Sequence, residues 1–123
     1  MSINNKIEDI SSIELKKLID NNQNVLIIDV RLVQEYAEGH IEGSLNLVLD
    51  VLNNSMVEKA VENHLKTINK NSPLHVIFQC RSGVRSLMAL GKIVMDSPVY
   101  DDVKFFNLKD GILGWVANSY PVK

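Results

Sequence analysis

One stretch of this chain brings together residue types that can do chemistry: Gln79-Cys80-Arg81-Ser82-Gly83-Val84-Arg85-Ser86. It follows the apolar run from Leu74 to Phe78 and leads into a second one, so it reads as a loop between a buried strand and a buried helix. In open parallel sheets, ligands bind beyond the carboxyl ends of the strands. A loop there presents successive backbone N–H groups at a helix N-terminus, which attracts anions. Gly83 permits a backbone turn that a Cβ would hinder. Arg81 and Arg85 add positive charge, and an arginine can grip an oxyanion with two parallel hydrogen bonds. A cysteine facing these donors ionises more readily than a free thiol, whose pKa is about 8.5. Such a site suits a thiolate and an anionic substrate or a charged sulfur adduct. A lone cysteine on a strand is more commonly a core residue. The two arginines, two serines and glycine beside Cys80 favour the reactive reading.

The elements that must position this loop alternate between strand-like and helix-like patterns. Ile7 to Ile10 reads as an edge strand. Ser11-Ser12-Ile13-Glu14 has capping-box spacing and opens a helix with Leu15, Leu18 and Ile19 on its inner face. That helix should stop at Asn21-Asn22-Gln23-Asn24, where asparagine side chains compete with helical hydrogen bonds. Val25 to Val30, broken only by Asp29, suits a strand covered on both faces. Leu32 to Glu38 reads as a short helix ended by Gly39, and Glu42-Gly43-Ser44 as a turn before the apolar stretch from Leu45 to Leu49. Val57, Ala60, Val61, Leu65 and Ile68 predict an amphipathic helix over Met56 to Ile68. Asn69 to Pro73 is a loop. Ser86 to Met95 is apolar on nearly every side, as for a helix packed deep against a sheet, with Met88 and Met95 as core filling; Asp96-Ser97-Pro98 ends it. Val103 to Leu108 is a last strand and Gly111 to Asn118 a closing helix. The alternation implies an α/β fold with a mainly parallel sheet.

The 123 residues fit a single domain, 1–123, with 46% hydrophobic and 23% charged residues. A net charge of −2 gives no footprint for nucleic acid. No apolar run approaches the roughly 20 residues that span a bilayer. MSINNKIEDI shows no secretory signal pattern. Cys80 is the one cysteine, so no internal disulfide can form, and a lone thiol fits a reducing, cytoplasmic setting. With three scattered histidines, His40, His64 and His75, there is no metal-ligand spacing.

The loop from Cys80 to Ser86 resembles the active-site loop of the rhodanese family of sulfurtransferases. Asp29-Val30-Arg31, Glu35-Tyr36 and Gly39-His40-Ile41-Glu42-Gly43-Ser44-Leu45-Asn46 resemble its upstream signature, and Asp110-Gly111 with Trp115 its C-terminal element. Three ordered motifs at matching spacing run over most of the chain. Asp110 stands where the family has a glycine, and Gln79 precedes the cysteine. The resemblance implies a single rhodanese domain: a five-stranded, mainly parallel sheet flanked by helices on both faces. It implies a persulfide on Cys80, loaded from a small anionic donor such as thiosulfate and discharged to cyanide, a thiol or a protein acceptor, with no metal or organic cofactor. Arg81, Ser82, Gly83, Val84, Arg85 and Ser86 would bind the substrate.

Asp29, Arg31 and Glu35 read better as a carboxylate–guanidinium network bracing the site than as acid–base groups, and His40 as a hydrogen-bonded turn residue. Trp115 reads as a core or rim aromatic, and Asp101-Asp102 and Glu58-Lys59 as solvated surface. Two rivals remain. Cysteine phosphatases place one residue more between thiolate and arginine than the four between Cys80 and Arg85, as a bulkier phosphoryl group requires. A non-catalytic docking module is the other, and the presence of Cys80 and both arginines weighs against it.

Overall fold

A computed structural model describes residues 6–69, 71–96 and 102–123. In chain order these form β1 (Ile7–Ile10), α1 (Ser12–Asp20), β2 (Val25–Asp29), α2 (Val33–Glu38), β3 (Leu45–Asn46), a 3-10 turn (Leu49–Val51), α3 (Asn54–Leu65), β4 (Leu74–Gln79), α4 (Val84–Asp96), β5 (Val103–Leu108) and α5 (Gly111–Ala117). The strands build one sheet in the order β1-β5-β4-β2-β3, and every pair is parallel. This is the α/β architecture expected from the alternating pattern. Among the described residues no helix is long and apolar enough to cross a membrane.

β4 lies at the centre, between β2 and β5, and all six of its residues are buried. Its side chains alternate between two cores, as a strand requires. Val76 and Phe78 pack with Val57 and Val61 of α3 and Ala89, Leu90 and Ile93 of α4. Ile77 packs on the opposite face with Leu15 of α1 and Ile112 and Trp115 of α5. Apolar cores on both faces explain why β2 and β4 read as continuous hydrophobic runs.

Local signals set the ends of the elements. Ser11 Oγ accepts the Glu14 N–H and Glu14 Oε1 accepts the Ser11 N–H, each at 3.1 Å, closing the capping box of α1. Asn53 Oδ1 accepts the Met56 N–H at 2.9 Å and starts α3 two residues before the hydrophobic pattern suggests. Asn24 ties the entry of β2 to the Asn69–Ser72 loop through both of its amide atoms. Several asparagines are thus caps and loop ties, a use that composition alone does not disclose.

The reading of α4 as apolar on nearly every side needs correction. Ser86, Ala89, Leu90 and Ile93 are buried, but Val84, Leu87 and Met88 are exposed, Met88 by 63%. The helical period puts 86, 89, 90 and 93 on one face and 84, 87 and 88 on the other. Met88 is therefore not core filling. The helix also begins earlier than expected, so Val84 and Arg85 belong to its first turn. The side chain of Met95, the Ser97-Pro98 stop and Asp101 lie outside the described residues; Asp102 is exposed.

Candidate active site

Cys80 directly follows β4, at the carboxyl end of the central strand. Its Sγ accepts the Gly83 N–H at 3.1 Å, and the backbone N–H groups of Ser82 and Ser86 also face it. Burial pushes the thiol pKa up, but the Ser86 hydroxyl and these backbone donors outweigh it and hold the thiol below its ordinary value.

The N–H groups point inward because the loop's carbonyls are held from outside. The Gln79 carbonyl accepts Val30 N–H at 2.9 Å, that of Cys80 accepts Ile112 N–H at 2.9 Å, and that of Arg81 accepts Leu113 N–H at 3.1 Å. In a trans peptide the carbonyl and the following N–H point in opposite directions. Anchoring the Arg81 carbonyl to α5 therefore aims the Ser82 N–H at the cradle. The approach of α5 depends on two glycines. Gly83 has φ +97°, and a Cβ there would lie 2.3 Å from the Lys109 carbonyl oxygen; Gly111 has φ +61°, and a Cβ there would lie 2.2 Å from that of Arg81. Asp110 has φ −100°, which any residue adopts, so an aspartate is tolerated where the family has a glycine.

Beneath the loop sits Asn107, buried on β5 beside Phe78 of β4. Its Nδ2 donates to the Gly83 carbonyl at 3.1 Å and its Oδ1 accepts the Ser86 hydroxyl at 2.5 Å, while Ser86 Oγ lies 3.3 Å from Cys80 Sγ. Gln79 Nε2 adds a donor to the Cys80 carbonyl at 2.7 Å. The sequence placed Gln79 in the chemical stretch without giving it a role, and did not point to Asn107. A signal for Asn107 existed: it shares the period-2 face of Val103 and Phe105, where a polar side chain is out of place unless it has a task.

The charged residues form two separate pairs. Arg31 grips both carboxylate oxygens of Asp29, with a closest contact of 2.7 Å, and donates to the Gly39 carbonyl at 2.8 Å. Asn46 Nδ2 then donates to the carbonyls of Asp29 and Arg31, which binds β3 to this corner. Arg85 makes a two-pronged bond to Glu35 at 2.8 and 3.0 Å, clamping α4 to α2. Arg81, exposed in the loop, has no such carboxylate among the described residues. His40 stacks on Tyr36 with 3.8 Å between ring centroids, and its Nδ1 lies 2.8 Å from the Tyr36 carbonyl. A cleft of about 510 Å³ adjoins the loop, walled by Arg31, Glu35, Arg81, Ile112, Leu113 and Val116.

The Arg85 bond holds the Glu35 carboxyl down at about 2, against an ordinary 4.5. Since the folded-state value is the lower one, the pair's stabilisation is present above about 4.5 and is lost as pH falls through about 2. Glu35→Gln should destabilise the protein by about 0.5–1 kcal/mol at pH 7, the scale of a partly exposed pair. The difference from wild type should shrink below pH 4 in denaturant titrations. A difference independent of pH would show that the charge of Glu35 contributes nothing.

Comparison with known proteins agrees with this geometry. The rhodanese-like domain profile matches residues 11–118. The rhodanese-like domain-containing protein 17 of Arabidopsis thaliana is 33% identical over 115 residues, covering 89% of this chain and 69% of that protein. A sulfurtransferase of Allochromatium vinosum is 28% identical over 116 residues, 94% of either chain. The solved thiosulfate sulfurtransferase of Pseudomonas aeruginosa matches with a TM-score of 0.68 at 21% identity, over 95% of this chain and 20% of that one, a likeness of fold. The profile match runs from the cap of α1 to the end of α5 and contains the whole cradle, and the chain belongs to the rhodanese-like domain family of the sulfurtransferase superfamily.

Proposed function

We propose that this protein carries sulfane sulfur as a persulfide on Cys80, taking it from thiosulfate or a similar anionic donor and passing it to a thiol or cyanide. The observation that carries this reading is the position of Cys80 Sγ inside a ring of inward N–H groups, with the Gly83 N–H at 3.1 Å. In the first half-reaction the Cys80 thiolate attacks the outer sulfur of thiosulfate. The donor's S–S bond breaks, and its electron pair leaves on sulfite. The new terminal sulfur lies about 2 Å beyond Sγ. Its negative charge rests among the backbone donors of the loop. Arg81, which has no carboxylate partner among the described residues, draws the donor anion in, and Arg85 adds its charge while remaining bound to Glu35. In the second half-reaction an outside nucleophile attacks the terminal sulfur, the persulfide bond breaks, and its electron pair returns to Sγ. The name of the Pseudomonas aeruginosa structural relative supports thiosulfate as the first donor to try. The four residues between Cys80 and Arg85 make a cradle that suits sulfur better than a phosphoryl group.

No second cysteine exists in the chain to resolve the adduct. Incubation with thiosulfate, desalting and intact-mass measurement should therefore show one added sulfur atom, and a small-thiol chase should remove it. Absence of the adduct with every sulfane donor tried, or its loss during desalting without an acceptor, would refute the carrier.

A further inference from the structure

Ser86 has one hydroxyl proton and two neighbours that compete for it. Asn107 Oδ1 lies 2.5 Å from Ser86 Oγ, and Cys80 Sγ lies 3.3 Å from it. The orientation of the Asn107 amide is set from its other end. Only Nδ2 can donate to the Gly83 carbonyl, so Oδ1 must face Ser86, and an amide oxygen can only accept. While Cys80 is a thiol there is no conflict: the S–H donates to Ser86 Oγ and the hydroxyl donates to Asn107. A thiolate has no proton to give. It can be served by Ser86 only if the hydroxyl turns toward sulfur, which leaves Asn107 Oδ1 without its donor in a site where the residue is 3% exposed. Stranding a buried acceptor is costly.

We propose that Asn107 is a positioning residue that competes with Cys80 for the hydroxyl proton of Ser86 and so restrains the charging of the sulfur. The consequence for sulfur transfer rests on the persulfide reading. In a persulfide the charge sits on the outer sulfur, Sγ needs no donor, and the Ser86 proton returns to Asn107. Discharge recreates the Sγ thiolate and pulls the proton away again. Asn107 therefore favours the loaded protein over the empty thiolate and lengthens the life of the carrier.

Other charges around the sulfur are untouched by this exchange. They are Arg85 on α4 with its partner Glu35 of α2, the Asp29–Arg31 pair at the end of β2, and Arg81 in the loop; Lys104, Lys109 and Asp110, on and after β5, are exposed. Among the described residues Asn107 bonds none of their side chains.

The test is the rate of Cys80 alkylation by iodoacetamide against pH, followed by intact mass, in wild type, Asn107→Leu, Ser86→Ala and the double variant. Wild type should show an inflection below the free-thiol value of about 8.5. Asn107→Leu should lower it by roughly one pH unit, because the hydroxyl is released to the sulfur. Ser86→Ala should raise it, and the double variant should match Ser86→Ala. A purely structural role for Asn107 predicts the reverse: a loosened cradle, a higher inflection, and the same shift with or without Ser86. Either of those results overturns the proposal, as does an unchanged inflection. Asn107→Ala serves in the same scheme if leucine is not accommodated. Alkylation reports the charge on sulfur whether or not the protein ever loads sulfane sulfur, so failure here is distinguishable from failure of the sulfur-transfer reading.

Discussion

Cys80→Ala should abolish thiocyanate formation from thiosulfate and cyanide, down to the rate without protein. The expectation is total because no other side chain in the chain can hold a sulfur atom by a disulfide-type bond. Cys80→Ser should be as inactive, since a hydroxyl is not ionised at neutral pH and gives no persulfide. The fold should survive both changes: Cys80 is a small side chain in the larger core, and serine or alanine still leaves the carbonyl that Ile112 and Gln79 hold. The control is a thermal melt within a few degrees of wild type. Full activity in either variant would remove Cys80 from the mechanism.

Gly111→Ala should have the largest effect of any single-methyl change. The new Cβ would lie 2.2 Å from the Arg81 carbonyl oxygen and 2.4 Å from its carbon, and both are backbone atoms that cannot swing away. A left-handed φ adds strain for any residue but glycine. Together these should cost about 3 kcal/mol or more, a fall in Tm of roughly 10 °C. Activity should fall further than stability explains. Pushing α5 back breaks the Ile112 and Leu113 bonds to the loop carbonyls and leaves the Ser82 N–H no longer aimed at the sulfur. Gly91→Ala is the matched control. A Cβ there meets nothing within 4 Å, and the position lies inside α4, so alanine should be neutral or stabilising by about 0.5–1 kcal/mol. Equal behaviour of the two variants in melting and in thiocyanate assays would show that the close approach of α5 is not needed.

What the sequence by itself determined is local. Periodicity and caps placed the α-helices and four of the five strands to within a few residues, because alternation, helical repeat and capping are written in residues close together in sequence; β3 was legible only as an apolar stretch, since a two-residue strand is defined by its pairing with β2. The same locality made the loop legible: cysteine, glycine, serines and arginines are neighbours in sequence, so their joint chemistry needs no fold to be seen. Tertiary structure decided the rest. Whether an arginine meets a carboxylate depends on what lies opposite, and Glu35 is 50 residues from Arg85. Asn107, 21 residues beyond Ser86, meets it only because β5 pairs with β4. The exposure of Met88 follows from which face of α4 meets the sheet, and a run of apolar letters does not state that. The aim of the loop's N–H groups comes from carbonyls held by Val30, Ile112 and Leu113, residues far from Cys80 in sequence. A nucleophile can be named from its neighbours in the chain, but the donors that set its charge are chosen by strand order, because only the assembled sheet brings those backbones within hydrogen-bonding distance.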